Sequence, residues 1–225
     1  MKNTCVKTFH LTFCALYTYG VYFSEVHLDI PLRSPKFGIF GRYKYLTHWN
    51  LVLQAVMFTL FCVIDFAPIR HKRCLTSVRD HVFLSISLPL CMFVSTIFWT
   101  LFFIDRDLIF PEALEMFYPA WLNHLSHTAI TFSAIVEALV NHHKQPTRKT
   151  GFATLLMFAG VYLALIQYLG LVHGIWVYPV LEVLSSVAFC AFLGFCIFFI
   201  FVFYVIGEKL NTCFWPQGRK CSKEQ

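Results

Sequence analysis

Charged residues are scarce in this sequence. They make up 13% of the 225 residues, whereas soluble globular proteins contain roughly 25%. Hydrophobic residues account for 58% of the chain and aromatic residues for 18%. This balance excludes an ordinary soluble domain and indicates an all-α membrane protein with several spans.

A signal-peptide cleavage site is also missing after the first apolar run. That run, FHLTFCALYTYGVYF, is followed by SEVHLDIP, which is bulky and charged. Signal peptides end in small residues at the cleavage site. We therefore interpret the first run as an uncleaved membrane anchor.

Six apolar runs make up more than half of the sequence. They lie at residues 8–24, 46–66, 82–104, 121–140, 152–172 and 180–206. Each is close to the roughly 20 residues that a helix needs to cross the hydrocarbon, and runs of this length satisfy their backbone groups in lipid only as helices. The predicted fold is a bundle of six transmembrane helices in a single domain, residues 1–225.

The distribution of Lys and Arg predicts that both termini face the cytosol. Most of these residues then lie in cytosolic segments, as the positive-inside rule requires. They are Lys2, Lys7, Arg70, Lys72, Arg73, Arg79, Lys144, Arg148, Lys149, Lys209, Arg219, Lys220 and Lys223. The formal net charge of +6 is thus explained by anionic membrane lipids and implies no nucleic-acid partner. None of the nine cysteines lies in a predicted outer loop, so we expect no disulfide framework.

The fourth apolar run contains a polar stretch, WLNHLSHTAITF at residues 121–132. Asn123, His127 and Thr131 share one helix face at i, i+4 spacing, and His124 and Thr128 form an adjacent stripe. Polar groups within a span face the bundle interior or a wet cavity. The stretch therefore predicts a pocket or a polar seam between helices.

The second run begins at the same predicted outer face, in GRYKYLTHWN. It places the Thr47 hydroxyl, the His48 imidazole and the Asn50 amide near the outer end of its helix. Two helices that enter from one side with such groups can build one site.

Longer stretches of the chain resemble a known family. YKYLTHWNLVLQ, RDLIFPEALEMFYPAWLNHLSHT and WVYP, followed by GEKLN, are similar nearly end to end to the androgen-induced gene 1 family. The resemblance implies a multi-pass membrane hydrolase that cleaves fatty-acid esters of hydroxy fatty acids with a threonine nucleophile and a histidine. The family motif KY-x-T places the threonine at Thr47, and WLNH-x-x-HT places the histidine at His127.

The implied chemistry suits these two residue types. A threonine hydroxyl is a weak nucleophile that needs a neighbouring base, and imidazole is the usual one. We expect backbone N–H groups near the start of the Thr47 helix to stabilise the oxyanion, and Asn123 or His124 to orient His127 or to donate to the oxyanion. No cofactor or metal is expected.

The expected substrate is a lipid ester in the outer leaflet. Its acyl chains would lie among the many phenylalanines, and its free carboxylate could pair with Arg42 or Lys44. The cell membrane is the predicted location, with the endoplasmic reticulum as the alternative. No protein partner is indicated.

Two other functional classes stay open on the sequence alone. His124 and His127, with His48 and His10, could bind a metal or haem. The chain could also be a non-catalytic membrane regulator. Away from the site, we expect Asp65 and Glu137 to pair with basic cytosolic loops, and His142 and His143 to be solvated.

Overall fold

The computed structural model describes residues 4–28, 38–66 and 68–216, with the side chains of residues 69–71 excepted. These residues form helices and connecting turns, and no strand occurs among them. The all-α prediction is therefore confirmed.

The helices follow one another in chain order. They are α1 Thr4–Val26, α2 Leu46–Phe66, α3 Ile69–Val82, α4 Leu88–Ile104, α5 Ala120–His124, α6 Ile130–Val140, α7 Arg148–His173, α8 Pro179–Val183 and α9 Ser186–Phe214. A π-helical turn at Phe83–Ser87 joins α3 to α4, and a second at Leu125–Ala129 joins α5 to α6. Short 3-10 turns lie at Gly41–Lys44, Arg106–Leu108 and Glu112–Leu114.

Four helical segments in the described residues are long and apolar enough to cross a membrane. They are Leu46–Phe66, Lys72–Ile104, Arg148–His173 and Ser186–Phe214. The chain is thus a helical membrane protein by length and composition, while the count of six spans and the cytosolic termini stay predictions.

The last apolar run is not one helix, contrary to the prediction for residues 180–206. It contains the short helix α8 and the longer α9, separated by extended residues Leu184 and Ser185. The Ser185 side chain accepts a hydrogen bond from the backbone N–H of Ala188 and so caps α9. A serine at this position begins a new helix, so the break could have been predicted from local sequence.

The main core lies between α1, α2, α4 and α6. Tyr17, Phe58 and Phe61 are fully buried there, with Phe58 and Phe61 in edge-to-face contact at 5.2 Å between ring centroids. The Tyr17 hydroxyl lies 2.6 Å from the Ser133 hydroxyl, which gives this buried phenol a partner. The Tyr17 ring also packs on Phe58 at 5.4 Å between centroids, so Tyr17 of α1 contacts both α2 and α6.

A second core lies beside the start of α2 and includes the segment between α7 and α8. Gly174 ends α7 in the left-handed conformation, at φ 66°, which glycine adopts at little cost. The chain then folds back so that the Trp176 ring packs on the bare Cα of Gly170. This reversal carries Tyr178 to the first residues of α2.

Buried ionisable side chains occupy the opposite end of the bundle. We call this group the buried ion network: His10, Asp65, Arg79, Asp80, Glu137 and His143, each at most 8% exposed. The predicted pairing with a basic loop is confirmed for Glu137, which contacts His143 of the loop after α6 at 3.2 Å. It also contacts His10 of α1 at 2.8 Å. His143 is fully buried rather than solvated, because its ring lies between two carboxylates and against Phe83.

Candidate active site

The structure brings together the two side chains that the resemblance singled out. Thr47 lies in the first turn of α2, and His127 lies in the π-helical turn between α5 and α6. Thr47 Oγ1 and His127 Nε2 are 3.2 Å apart. The threonine is half-buried and the histidine is 5% exposed, so the contact is shielded from the surface.

Hydrogen bonding fixes the proton arrangement of the His127 ring. Nδ1 lies 3.0 Å from the backbone carbonyl oxygen of Asn123. A carbonyl only accepts, so Nδ1 carries the proton and donates it. In the neutral ring Nε2 then has the free lone pair, and the Thr47 hydroxyl donates to it.

Two aromatic residues of α4 hold His127 in place. The Phe98 ring stacks on the imidazole at 3.5 Å between centroids and an interplanar angle of 14°. Trp99 donates from Nε1 to the His127 backbone carbonyl at 3.3 Å. π-helical turns occur often at functional sites, and here the turn places the ring between α2 and α4.

Two tyrosines that the sequence reading did not single out surround the start of α2. The Leu46 N–H donates to the hydroxyls of Tyr162 and Tyr178, at 2.9 and 3.0 Å, and Tyr162 donates to the Lys44 carbonyl at 3.0 Å. The first N–H of α2 is thus bonded to tyrosine oxygens, while a role of the next N–H groups in stabilising an oxyanion stays a prediction. The WVYP match contained the only sequence signal for Tyr178.

The Tyr178 hydroxyl is a candidate donor at the site. Burial raises the pKa of the Tyr178 phenol, while hydrogen bonding with Tyr162, the Leu46 N–H and the Thr47 side chain opposes the rise. The phenol therefore keeps its proton at neutral pH. Tyr162 already donates to a carbonyl, so the proton of Tyr178 is directed to Tyr162 or Thr47.

An apolar cavity of about 190 Å³ opens beside Thr47. It lies between α4, α7 and α9, and its wall includes Phe93, Phe98, Leu101, Tyr162, Leu181 and Phe192. Thr47 and Tyr178 contribute hydroxyl groups to this wall. Such a cavity suits a long hydrocarbon chain.

The other polar residues of the fourth run point in different directions. His124 and Thr128 are exposed and contact each other at 3.3 Å, so the structure does not bring His124 to Thr47. Asn123 is buried and its backbone carbonyl orients His127, although its side-chain oxygen has no partner among the described residues. Thr131 bonds to Ser95 at 2.6 Å and thus belongs to a polar seam with α4.

The two basic residues before α2 differ in their surroundings. Arg42 lies 3.7 Å from the Glu25 carboxylate and donates to the Leu28 carbonyl at 3.1 Å. Lys44 is only 3% exposed, its ammonium lies over the Tyr45 ring, and burial lowers the pKa of its amine. A contact of either residue with a substrate carboxylate stays a prediction.

The histidines proposed as metal or haem ligands are dispersed. His10 belongs to the buried ion network, His48 lies 3.0 Å from Glu25, and His124 is exposed beside Thr128. Across residues 4–28, 38–66 and 68–216, no three or more His, Cys, Asp or Glu side chains are grouped to hold a metal ion.

The fold and site thus define a helical membrane protein with a threonine–histidine pair beside an apolar cavity. Residues 6–212 match the model of the FAR-17a/AIG1-like protein family, and the chain belongs to that family.

Three relatives are similar to the chain over most of its length. The chain is 33% identical over 230 residues to the androgen-dependent TFPI-regulating protein of Homo sapiens, with all of both chains covered. Identity is 37% over 220 residues to the same-named protein of Rattus norvegicus, covering 96% of this chain and 95% of that one. It is 31% over 196 residues to the androgen-induced gene 1 protein of Homo sapiens, covering 82% of each. No solved structure matches the chain significantly.

Proposed function

We propose that this protein is a membrane-embedded hydrolase of fatty-acid esters of hydroxy fatty acids. Thr47 is the nucleophile and His127 the general base and acid. The observation that carries the proposal is the 3.2 Å contact between Thr47 Oγ1 and His127 Nε2 on the wall of an apolar cavity. Family membership supports it.

The reaction proceeds in two halves. Thr47 transfers its hydroxyl proton to His127 Nε2 and attacks the ester carbonyl carbon. The carbon–oxygen bond to the leaving group then breaks, and the leaving alkoxide takes the proton from His127 as the hydroxy fatty acid departs. Water next attacks the acyl-threonine after giving a proton to Nε2, and that proton returns to Thr47 as the fatty acid is released.

Tyr178 supplies a donor for the oxyanion in this scheme. The Tyr178 hydroxyl lies beside the Thr47 side chain. The ester carbonyl must approach Thr47 Oγ1 to be attacked, and its oxygen is then close to the Tyr178 hydroxyl. A preorganised donor in a dry site stabilises the developing negative charge strongly. Tyr162, which donates to the Lys44 carbonyl and accepts from Leu46, positions that phenol.

The apolar cavity beside Thr47 also determines where the acyl chains of the ester lie. One acyl chain enters the apolar cavity, where burial of hydrocarbon is favourable, and the rest of the ester lies towards the lipid. Arg42 or Lys44 pairs with the free carboxylate.

The proposal also includes a topology. α1 and the continuous helical segment from α5 to α6 complete six spans, and both termini face the cytosol because most Lys and Arg then lie on that side. Thr47 and His127 are then near the outer face. The cell membrane is the proposed location.

An active-site probe tests the proposed nucleophile directly. We expect a long-chain fluorophosphonate to label the purified full-length protein at Thr47, because its hydroxyl is paired with a buried base beside the apolar cavity. Tryptic peptides analysed by mass spectrometry identify the site, and a palmitic ester of hydroxystearic acid should compete. Labelling at another residue would contradict the assignment.

Loss of the Tyr178 hydroxyl should slow the chemistry without weakening substrate binding. For Tyr178→Phe we expect kcat to fall about 10²-fold, the usual effect of removing one oxyanion donor, with KM within a few-fold. The measurement is steady-state ester hydrolysis in lipid nanodiscs. Tyr204→Phe is the control, because it also removes the hydroxyl of a buried tyrosine but lies at the opposite end of the bundle. Equal kcat values for both variants would reject the role of Tyr178.

A further inference from the structure

The buried ion network joins α1, α2, α3 and α6. His10 Nδ1 lies 2.7 Å from Asp65 and its Nε2 lies 2.8 Å from Glu137. His143 Nδ1 lies 3.0 Å from Asp80. These three contacts are hydrogen bonds, and each needs one proton. His143 Nε2 lies 3.2 Å from Glu137, at ion-pair distance without a hydrogen bond.

Groups of opposite charge are paired throughout this network. The carboxylates of Asp65, Asp80 and Glu137 lie against the two imidazole rings and Arg79, which bonds to Asp80 at 2.8 Å. Buried charges need such partners, and losing one partner is costly.

A second cavity opens where this network reaches the surface. It has a volume of about 450 Å³, and its lining residues are Thr4, Lys7, Ile64, Asp65, Lys72, Thr76 and Arg79. We call it the basic cavity. Asp65 and Arg79, the two ends of the network, both contribute to its wall, so the network fixes two of its charged groups in position.

Two positive charges on this wall belong to residues outside the network, Lys7 and Lys72. Among the described side chains neither Lys7 nor Lys72 takes part in an ion pair, and Lys7 Nζ instead lies 5.1 Å from the centre of the Phe66 ring. The hydroxyls of Thr4 and Thr76 add donors. The cavity therefore carries an excess charge of +2 and is rich in hydrogen-bond donors.

We propose that the basic cavity binds a phosphate monoester carried by a polyol. A monoester near pH 7 carries close to two negative charges and has only acceptor oxygens, which matches the two lysines and the hydroxyl donors. Lysine binds phosphate as a point charge. The Thr4 and Thr76 hydroxyls on the same wall can also bond to a polyol, which favours a phosphorylated sugar alcohol.

The position of the cavity indicates a source for this ligand. The cavity lies some 18 residues along α2 from Thr47, or roughly 27 Å at the helical rise, and hence at the predicted cytosolic level. Basic pockets between helices at that level bind phosphorylated lipid headgroups. A soluble phosphorylated polyol offers the same chemistry, so the test must separate the two.

Binding to nanodiscs tests the site in the full-length protein. We expect fluorescent phosphatidylinositol 4-phosphate to bind the purified protein and phosphatidylinositol to bind much less. The double variant Lys7→Gln/Lys72→Gln should lose about tenfold or more in affinity. Lys7→Arg/Lys72→Arg should retain binding, which guards against a variant that fails only because it is unstable.

A charge-matched control distinguishes a site from general attraction to basic protein. Arg73→Gln/Lys209→Gln removes the same formal charge from exposed positions, and its affinity should stay near wild type. Soluble inositol 4-phosphate that binds as tightly as the lipid would assign a free ligand, and much tighter binding of the lipid would assign the lipid. Equal losses in both double variants, or no binding of either probe, would overturn the proposal.

Discussion

Replacing Thr47 with alanine should abolish ester hydrolysis. We expect kcat/KM to fall by more than about 10³-fold, because removing a nucleophile that acts together with its base costs most of the catalysed rate. Thr47→Ser should keep measurable activity, since it retains the hydroxyl 3.2 Å from His127. The measurement is hydrolysis of a palmitic ester of hydroxystearic acid by purified protein in nanodiscs.

The same helix offers a control for this substitution. Thr59 is an exposed residue of α2 whose hydroxyl donates to the Ala55 carbonyl, so Thr59→Ala removes a threonine hydroxyl far from the cavity. Its activity should match that of the wild type. If Thr47→Ala instead hydrolyses the ester at the wild-type rate, the threonine mechanism is wrong whatever the geometry of the pair.

The approach of Thr47 to His127 could be anticipated because both lie near the predicted outer ends of apolar runs. Parallel entry from one side restricts two helix ends to the same depth, and polar groups in a span turn inward. Sequence periodicity does not show which of His124 and His127 contacts Thr47. A spacing of three residues leaves both on neighbouring faces, and the π-helical turn that directs His127 inward has no sequence signal that periodicity detects.

Tyr178 illustrates what local sequence does not contain. It lies in the segment between two helices, and its approach to α2 depends on the left-handed turn at Gly174 and on the packing of Trp176 against Gly170. The glycine itself predicts a helix end. The direction of the following residues depends on tertiary contacts that no pattern within the segment specifies.

The prediction that His143 is solvated is wrong for a related reason. Its neighbours in sequence are polar and basic, which favours a solvated loop, yet the ring is fully buried. Its partner Glu137 lies close by in the sequence, at the end of α6. Its partner Asp80 belongs to α3, at a sequence separation of 63, and a local sequence window does not contain that contact.

Glu137→Gln should destabilise the protein more than any substitution at the candidate active site. One Glu137 oxygen lies 2.8 Å from His10 Nε2 and accepts from Asn141 Nδ2 at 2.8 Å, and the other lies 3.2 Å from His143. Glutamine has nearly the same shape but only one acceptor oxygen, so one ring N–H would face an amide group. Breaking a buried ion pair on one side costs about 3–5 kcal/mol.

The melting temperature of detergent-solubilised protein measures this effect. Glu115→Gln is the matched control, because the same change at an exposed carboxylate paired with Arg106 should cost less than about 1 kcal/mol. An unchanged melting temperature for Glu137→Gln would show that the network does not hold the helices together. A lower melting temperature with normal turnover by the protein that remains folded would show that the two ends of the bundle have different roles. The ion network would then stabilise the fold, and the Thr47–His127 pair would perform the chemistry.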